Sequence, residues 1–177
     1  MPAATGTSEV TGRMQPRGGG PMAVVTLDPH APLEVPLPAE PAEMDQYGRA
    51  FIPRLVVVRE GQTVRFINSE NDLHNVHVID EQGESLFNVG MPIVGGTYEH
   101  VFEHTGDYRV GCNIHQQMSA TVRVTASPFI AIADRDGSFA ISGVPYGVYD
   151  VEVRRGPERV TRVVEIDGPH TDLSGMW

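Results

Sequence analysis

The chain has 177 residues, enough for one ordinary domain or two small ones, and 40% of them are hydrophobic against 20% charged. That balance allows a packed core and excludes wholesale disorder. A formal net charge of −10 argues against nucleic acid as a partner, because phosphate repels such a surface, and suits a basic protein partner instead.

Glycine (19) and proline (14) are plentiful, and the apolar runs are short and rich in valine, which predicts an all-β chain with many turns. No run of about 18 apolar residues is present to span a membrane. The one cysteine permits no intramolecular disulfide, so cysteine usage does not fix the redox compartment.

Residues 1–20 are polar, with Arg13, Arg17 and three consecutive glycines. They read as a disordered N-terminal tail without the apolar core of an export signal. Met22 to Leu27 reads as a strand, and the five prolines from Pro29 to Pro41 as an extended connector. Strands are then predicted at Leu55 to Val58 and Thr63 to Asn68, with a turn at Glu60-Gly61-Gln62. Ser69 to Leu73 is a polar loop, followed by a strand from His74 to Ile79. Side chains alternate along a strand, so His74 and His77 take opposite faces and only one of them looks inward. Tyr98 to Phe102, Tyr108 to Cys112 and Thr121 to Val124 complete this part of the chain. In Tyr108-Arg109-Val110-Gly111-Cys112 the period of two turns the cysteine inward, at the point where a loop begins.

After Ser127, four strands are predicted at Phe129 to Ala133, Ser138 to Ile141, Tyr149 to Val153 and Val160 to Ile166. Turns at Asp136-Gly137, Val144 to Gly147 and Gly156-Pro157 separate them. A calcium loop starting at Asp134 would end at Pro145 in place of the required glutamate, so this run is turn chemistry.

The chemistry of the chain is concentrated in Cys112-Asn113-Ile114-His115-Gln116-Gln117-Met118 and His74-Asn75-Val76-His77. Taken singly, a lone cysteine is most often a small buried hydrophobe, a methionine core filling and a histidine a hydrogen-bonded structural residue. Together, one thiolate, two imidazoles and one thioether form the ligand set of a mononuclear electron-transfer copper site. Cys112, His115 and Met118 recur every three residues, so one tight loop can turn all three toward a point that His74 closes from another segment. Zinc would suit Cys112 and the histidines but has no use for Met118. Nucleophilic catalysis by Cys112 with His115 lacks a third, orienting group. A copper carrier or storage protein would use the same four ligands in a more open site. His77, His100 and His104 read as surface residues, and His30, His170 and Trp177 carry no assigned role.

Phe51-x-Pro53, the run Glu60 to Asn68, His74-Asn75-Val76 and the Cys-x2-His-x2-Met loop resemble the cupredoxin family over roughly residues 45–125. The short ligand loop is similar to that of amicyanin, with Ile114 and Gln116 where such loops carry proline. The order of segments, including Cys-Asn-Ile-His, is similar to methylamine-utilisation-type copper proteins. This resemblance implies a Greek-key β-sandwich with one type 1 (blue) copper held by His74, Cys112, His115 and Met118. Asn75 would tie the two ligand loops together, with Asn113 beside it. It further implies a carrier and not an enzyme, a redox partner such as a cytochrome or a copper or quinoprotein enzyme, and a periplasmic or other extracytoplasmic address.

Residues 127–167, with Asp136-Gly137-Ser138-Phe139 and Gly143-Val144-Pro145, resemble a small carboxypeptidase regulatory-like (transthyretin-like) β-sandwich. Residues 22–27 would supply a missing strand, making the copper domain an insertion. A simple tandem arrangement is the other possibility, and a structural role suits this segment better than an activity.

Overall fold

A computed structural model describes residues 5–16 and 18–177, and among these residues every regular element is a β-strand. In chain order the strands are β1 (Thr7–Arg13), β2 (Ala23–Pro29), β3 (Ala42–Tyr47), β4 (Ala50–Ile52), β5 (Leu55–Arg59), β6 (Gln62–Asn68), β7 (His74–Ile79) and β8 (Ser85–Met91). They continue as β9 (Thr97–Phe102), β10 (Gly106–Gly111), β11 (Ser119–Thr125), β12 (Phe129–Ile132), β13 (Ser138–Pro145), β14 (Gly147–Arg155), β15 (Glu158–Ile166) and β16 (His170–Asp172). The chain divides into two compact units, one of Pro36–Ala126 and one of the described residues up to Val35 with Ser127–Trp177. Among the described residues no helix is long and apolar enough to cross a membrane.

The unit of Pro36–Ala126 is a sandwich of two sheets, ordered β5-β11-β10-β7-β8 and β4-β3-β6-β9. The pairs β5/β11 and β3/β6 run parallel and the remaining pairs antiparallel. Alternation explains why these segments fold as half-buried strands. Val64, Phe66 and Asn68 of β6 point inward, as do Val56 and Val58 of β5 and Val122 and Val124 of β11. The inward residues of both sheets, among them Phe51, Phe66, Phe102 and Tyr108, form one core that extends to Cys112 and Met118. Strand β7 starts on a buried histidine, and β10 ends one residue before the cysteine. Both chemically distinctive segments are therefore anchored on strands that pair directly, Gly111 opposite His77.

The other unit has one sheet ordered β12-β2-β14-β15 and a second ordered β13-β1-β16. Its core contains Val10, Leu27, Phe139, Tyr149, Val151 and Leu173. Disorder over residues 1–20 does not hold here. Thr7–Arg13 is the central strand of the three-stranded sheet, with Val10 fully buried. Its inward residues are Ser8, Val10 and Gly12, and Gly12 lies under the Phe139 ring. Small and polar side chains therefore occupy positions that sequence patterning expects to be apolar. Residues 1–4 and 17 of that expected tail lie outside the described residues. The unit also runs past residue 167, through β16 to the buried Leu173.

Candidate metal centre

Three nitrogen and sulfur donors converge at one end of the Pro36–Ala126 sandwich. His74 opens β7 and is fully buried, and Cys112, 4% exposed, follows the last residue of β10. His115 lies three residues on, in the loop to β11, with 12% of its side chain exposed. The Nδ1 atoms of His74 and His115 are 3.1 Å apart, and Cys112 Sγ is 3.9 Å from each of them. The imidazole rings meet edge to face, with centroids 4.9 Å apart. Among the described residues this trio is the one such cluster of candidate metal donors.

The donor set can be tested against a metal. Separations of 3.1 and 3.9 Å are short enough for one ion to be held by all three donors, at bonds of about 2.0 Å to imidazole nitrogen and about 2.3 Å to thiolate sulfur, the lengths seen for zinc. A trigonal set of two imidazoles and one thiolate suits copper that must serve both oxidation states. Met118 is 2% exposed, shares the core with Cys112, and donates its backbone N–H to the His115 carbonyl at 2.9 Å. That bond closes the loop into a tight turn, in which Cys112 and Met118 face inward while Asn113, Ile114, Gln116 and Gln117 face out.

His74 and His77 lie on opposite sides of β7, as the alternation requires. His77 stands away from the trio, with Nδ1 3.2 Å from Asn113 Oδ1 and Nε2 3.0 Å from Ser85 Oγ. Asn75 is buried; its Oδ1 accepts the Asn113 backbone N–H at 2.7 Å, and its Nδ2 donates to Asn88 Oδ1. The fully buried Gln46 donates to the Asn75 carbonyl. His100 is not a plain surface residue. It is half-buried between the rings of Phe87 and Phe102, with centroids 4.7 and 4.9 Å away, and burial lowers its pKa against a weaker opposing pull from Glu103.

Two carboxylates behind the histidines escape sequence reading, which treats Ser69 to Leu73 only as a polar loop. Glu70 Oε1 lies 2.7 Å from His74 Nε2, and Asp72 Oδ2 lies 3.6 Å from His115 Nε2. Glu70 also accepts the backbone N–H groups of Gly48 and Arg49. The Arg49 N–H is the foremost cause that holds its carboxyl below the usual range, with the bond to His74 adding to it against desolvation. Asp72 accepts from Arg49 Nε at 2.9 Å, and that bond depresses its pKa. A signal exists in retrospect: acidic residues two and four positions before a buried histidine, with an arginine in the β3–β4 turn.

Residues 42–125 match the family model of copper-binding proteins of the plastocyanin/azurin family. Among solved structures, the chain is similar to a purple cupredoxin of Nitrosopumilus maritimus, with 27% identity over 48% of this chain and 99% of that one, at a TM-score of 0.43. A reduced Cu(I) form of an amicyanin variant is 25% identical over 57% of this chain and 98% of that one, at 0.45. A copper-containing nitrite reductase of Thermus scotoductus is 28% identical over 55% of this chain but only 25% of its own, also at 0.45. No curated protein is similar enough in sequence to match. The family match does not extend to the β-sheets of the second unit. Residues 42–125, which carry the buried His74 and Cys112 and the partly buried His115, are thus similar to the plastocyanin/azurin family of copper-binding proteins, the cupredoxins.

Proposed function

We propose that this protein is a type 1 copper electron carrier, with one copper held by His74, Cys112, His115 and Met118. The observation that carries the reading is the convergence of two Nδ1 atoms and one Sγ, all within 4.8 Å of one another. When bound, copper supplies a one-electron couple between Cu(I) and Cu(II). The chain's part is to hold the donors still. His74 and Cys112 adjoin paired strands, and Asn75 and Glu70 fix the loop and ring that bear them. A donor set locked in this way has little to rearrange between oxidation states. Met118, buried in the same core, would be the weaker fourth donor.

His115 is more exposed than His74 or Cys112, so its edge is the proposed route for electrons. Around it the loop presents the neutral, exposed Gln116 and Gln117 and the half-exposed Ile114, 49% accessible. Leu73, 52% accessible, adjoins His74 in sequence. An apolar rim lets a redox protein approach closely, while the net charge of −10 favours a basic one. His74 and Cys112 are buried, which favours transfer through the edge of His115 over direct contact of a substrate with the donors. The reading implies an extracytoplasmic address. It also treats the copper unit as inserted in a small structural sandwich, supported by the pairing of β2 with both β12 and β14.

Stopped-flow mixing of the copper-loaded protein with a small basic cytochrome tests the role. Electron exchange that slows with added salt, with copper retained against a Cu(I) chelator, is the expected result. Slow exchange with rapid copper loss would favour a carrier or storage protein instead.

A further inference from the structure

The β3–β4 turn reaches both candidate histidine ligands. Gly48 and Arg49 form its tip with φ of 61° and 53°, and Arg49 is the one non-glycine described residue with positive φ. A left-handed arginine is strained, so its contacts must offset that strain. Its backbone N–H binds Glu70 Oε1 at 2.9 Å, and its Nε binds Asp72 Oδ2 at 2.9 Å. Those two carboxylates stand behind the two imidazoles, Glu70 at His74 Nε2 and Asp72 at His115 Nε2.

A neutral imidazole carries its hydrogen on one nitrogen only. For both Nδ1 lone pairs to face Cys112, both Nε2 atoms must carry the hydrogen. A carboxylate at Nε2 favours that tautomer and fixes the ring. For His74, the short contact to Glu70 does this directly. For His115 the 3.6 Å separation is an electrostatic contact longer than a hydrogen bond, effective only if Asp72 is kept in place and ionised.

We infer that Asp72, held by Arg49, is a positioning residue for His115: it sets the tautomer that presents Nδ1 to the metal and puts a fixed negative charge at the exposed edge. The inference rests on the proposed ligand role of His115. It separates the functions of Arg49, whose backbone serves Glu70 and whose side chain serves Asp72. Arg49→Gly is therefore informative, because glycine accepts the turn's φ without strain and keeps the N–H to Glu70.

Histidine-labelled, metal-free protein is examined by nitrogen NMR at about pH 8, where imidazoles are neutral. The wild type should show His115 with Nε2 protonated. Asp72→Ala and Arg49→Gly should each turn His115 into a mixture of tautomers and leave His74 unchanged. Asp72→Asn removes the charge on which a 3.6 Å contact depends, so it should give the same mixture as Asp72→Ala; loaded with copper, it should have a higher reduction potential than wild type, because a negative charge is lost. Asp72→Ala should bind copper about tenfold more weakly yet keep the thiolate-to-copper absorption. An unchanged His115 in both Asp72→Ala and Arg49→Gly overturns the inference, as does a shift of His74 together with His115 in Arg49→Gly. Absence of the absorption band in the wild type would instead defeat the copper reading itself.

Discussion

Asn75 and Asn113 join the two segments that carry the candidate ligands: the Asn75 side-chain oxygen accepts the Asn113 backbone N–H at 2.7 Å. Asn75 follows His74 and Asn113 follows Cys112, so one bond sets the distance between the imidazole and the thiol. Asn75→Ala leaves the Asn113 N–H and the Asn88 amide oxygen short of a partner, at a cost of about 1–3 kcal/mol. Urea unfolding of the metal-free variant should show that loss, and its copper should dissociate faster than from the wild type.

Glu70 serves His74 and the β3–β4 turn at once. Glu70→Ala removes the acceptor at His74 Nε2 and leaves two turn amides unpaired. Copper affinity should fall about 10–100-fold, measured by competition with a chelator of known strength. An unchanged affinity would mean that burial alone orients His74.

His100 sits between Phe87 and Phe102, where burial lowers its pKa from 6.5. The unfolded chain therefore binds a proton more readily than the folded one. The stability that comes from a neutral His100 is fully present above about pH 6.5 and is lost as pH falls toward the folded pKa. In metal-free protein, His100→Gln should lose less stability than the wild type between about pH 7.5 and pH 5.5. Denaturant midpoints at the two values give the comparison, and equal losses would remove His100 from the acid response.

Gly137 has φ of 85° and lies against Met14, so an added Cβ would overlap the Met14 carbonyl oxygen. The Gly137 carbonyl also accepts the Met14 N–H at 3.0 Å. Gly137→Ala should destabilise its unit by more than about 1 kcal/mol, seen as a lowered thermal midpoint.

Valine-rich alternation made β5, β6, β7, β10 and β11 legible in sequence, because each buries one face in the core. Strand β8 gave no such signal. It pairs only with β7 at the edge of its sheet, and most of its side chains are exposed or half-exposed. In β3 a buried Gln46 stands where a strand pattern expects an apolar residue. Strand β1 is held by β13 and β16, more than a hundred residues away, and its own sequence names neither partner. The four candidate ligands were legible because sulfur and imidazole donors are rare and recur at a spacing that suits one loop. Glu70, Asp72 and Arg49 were not, since acidic and basic residues in turns are ordinary and only the fold aims them at the histidines.

The central claim is that Cys112 and the two histidines hold copper as a set. Addition of Cu(II) to the metal-free protein, followed by visible and paramagnetic resonance spectra beside Cys112→Ser, tests it most directly. An intense thiolate-to-copper band with narrow copper hyperfine splitting, lost in the variant, is the result expected. A pale spectrum with wide splitting that the variant leaves unchanged would contradict the account, because Cys112 would then not be a ligand.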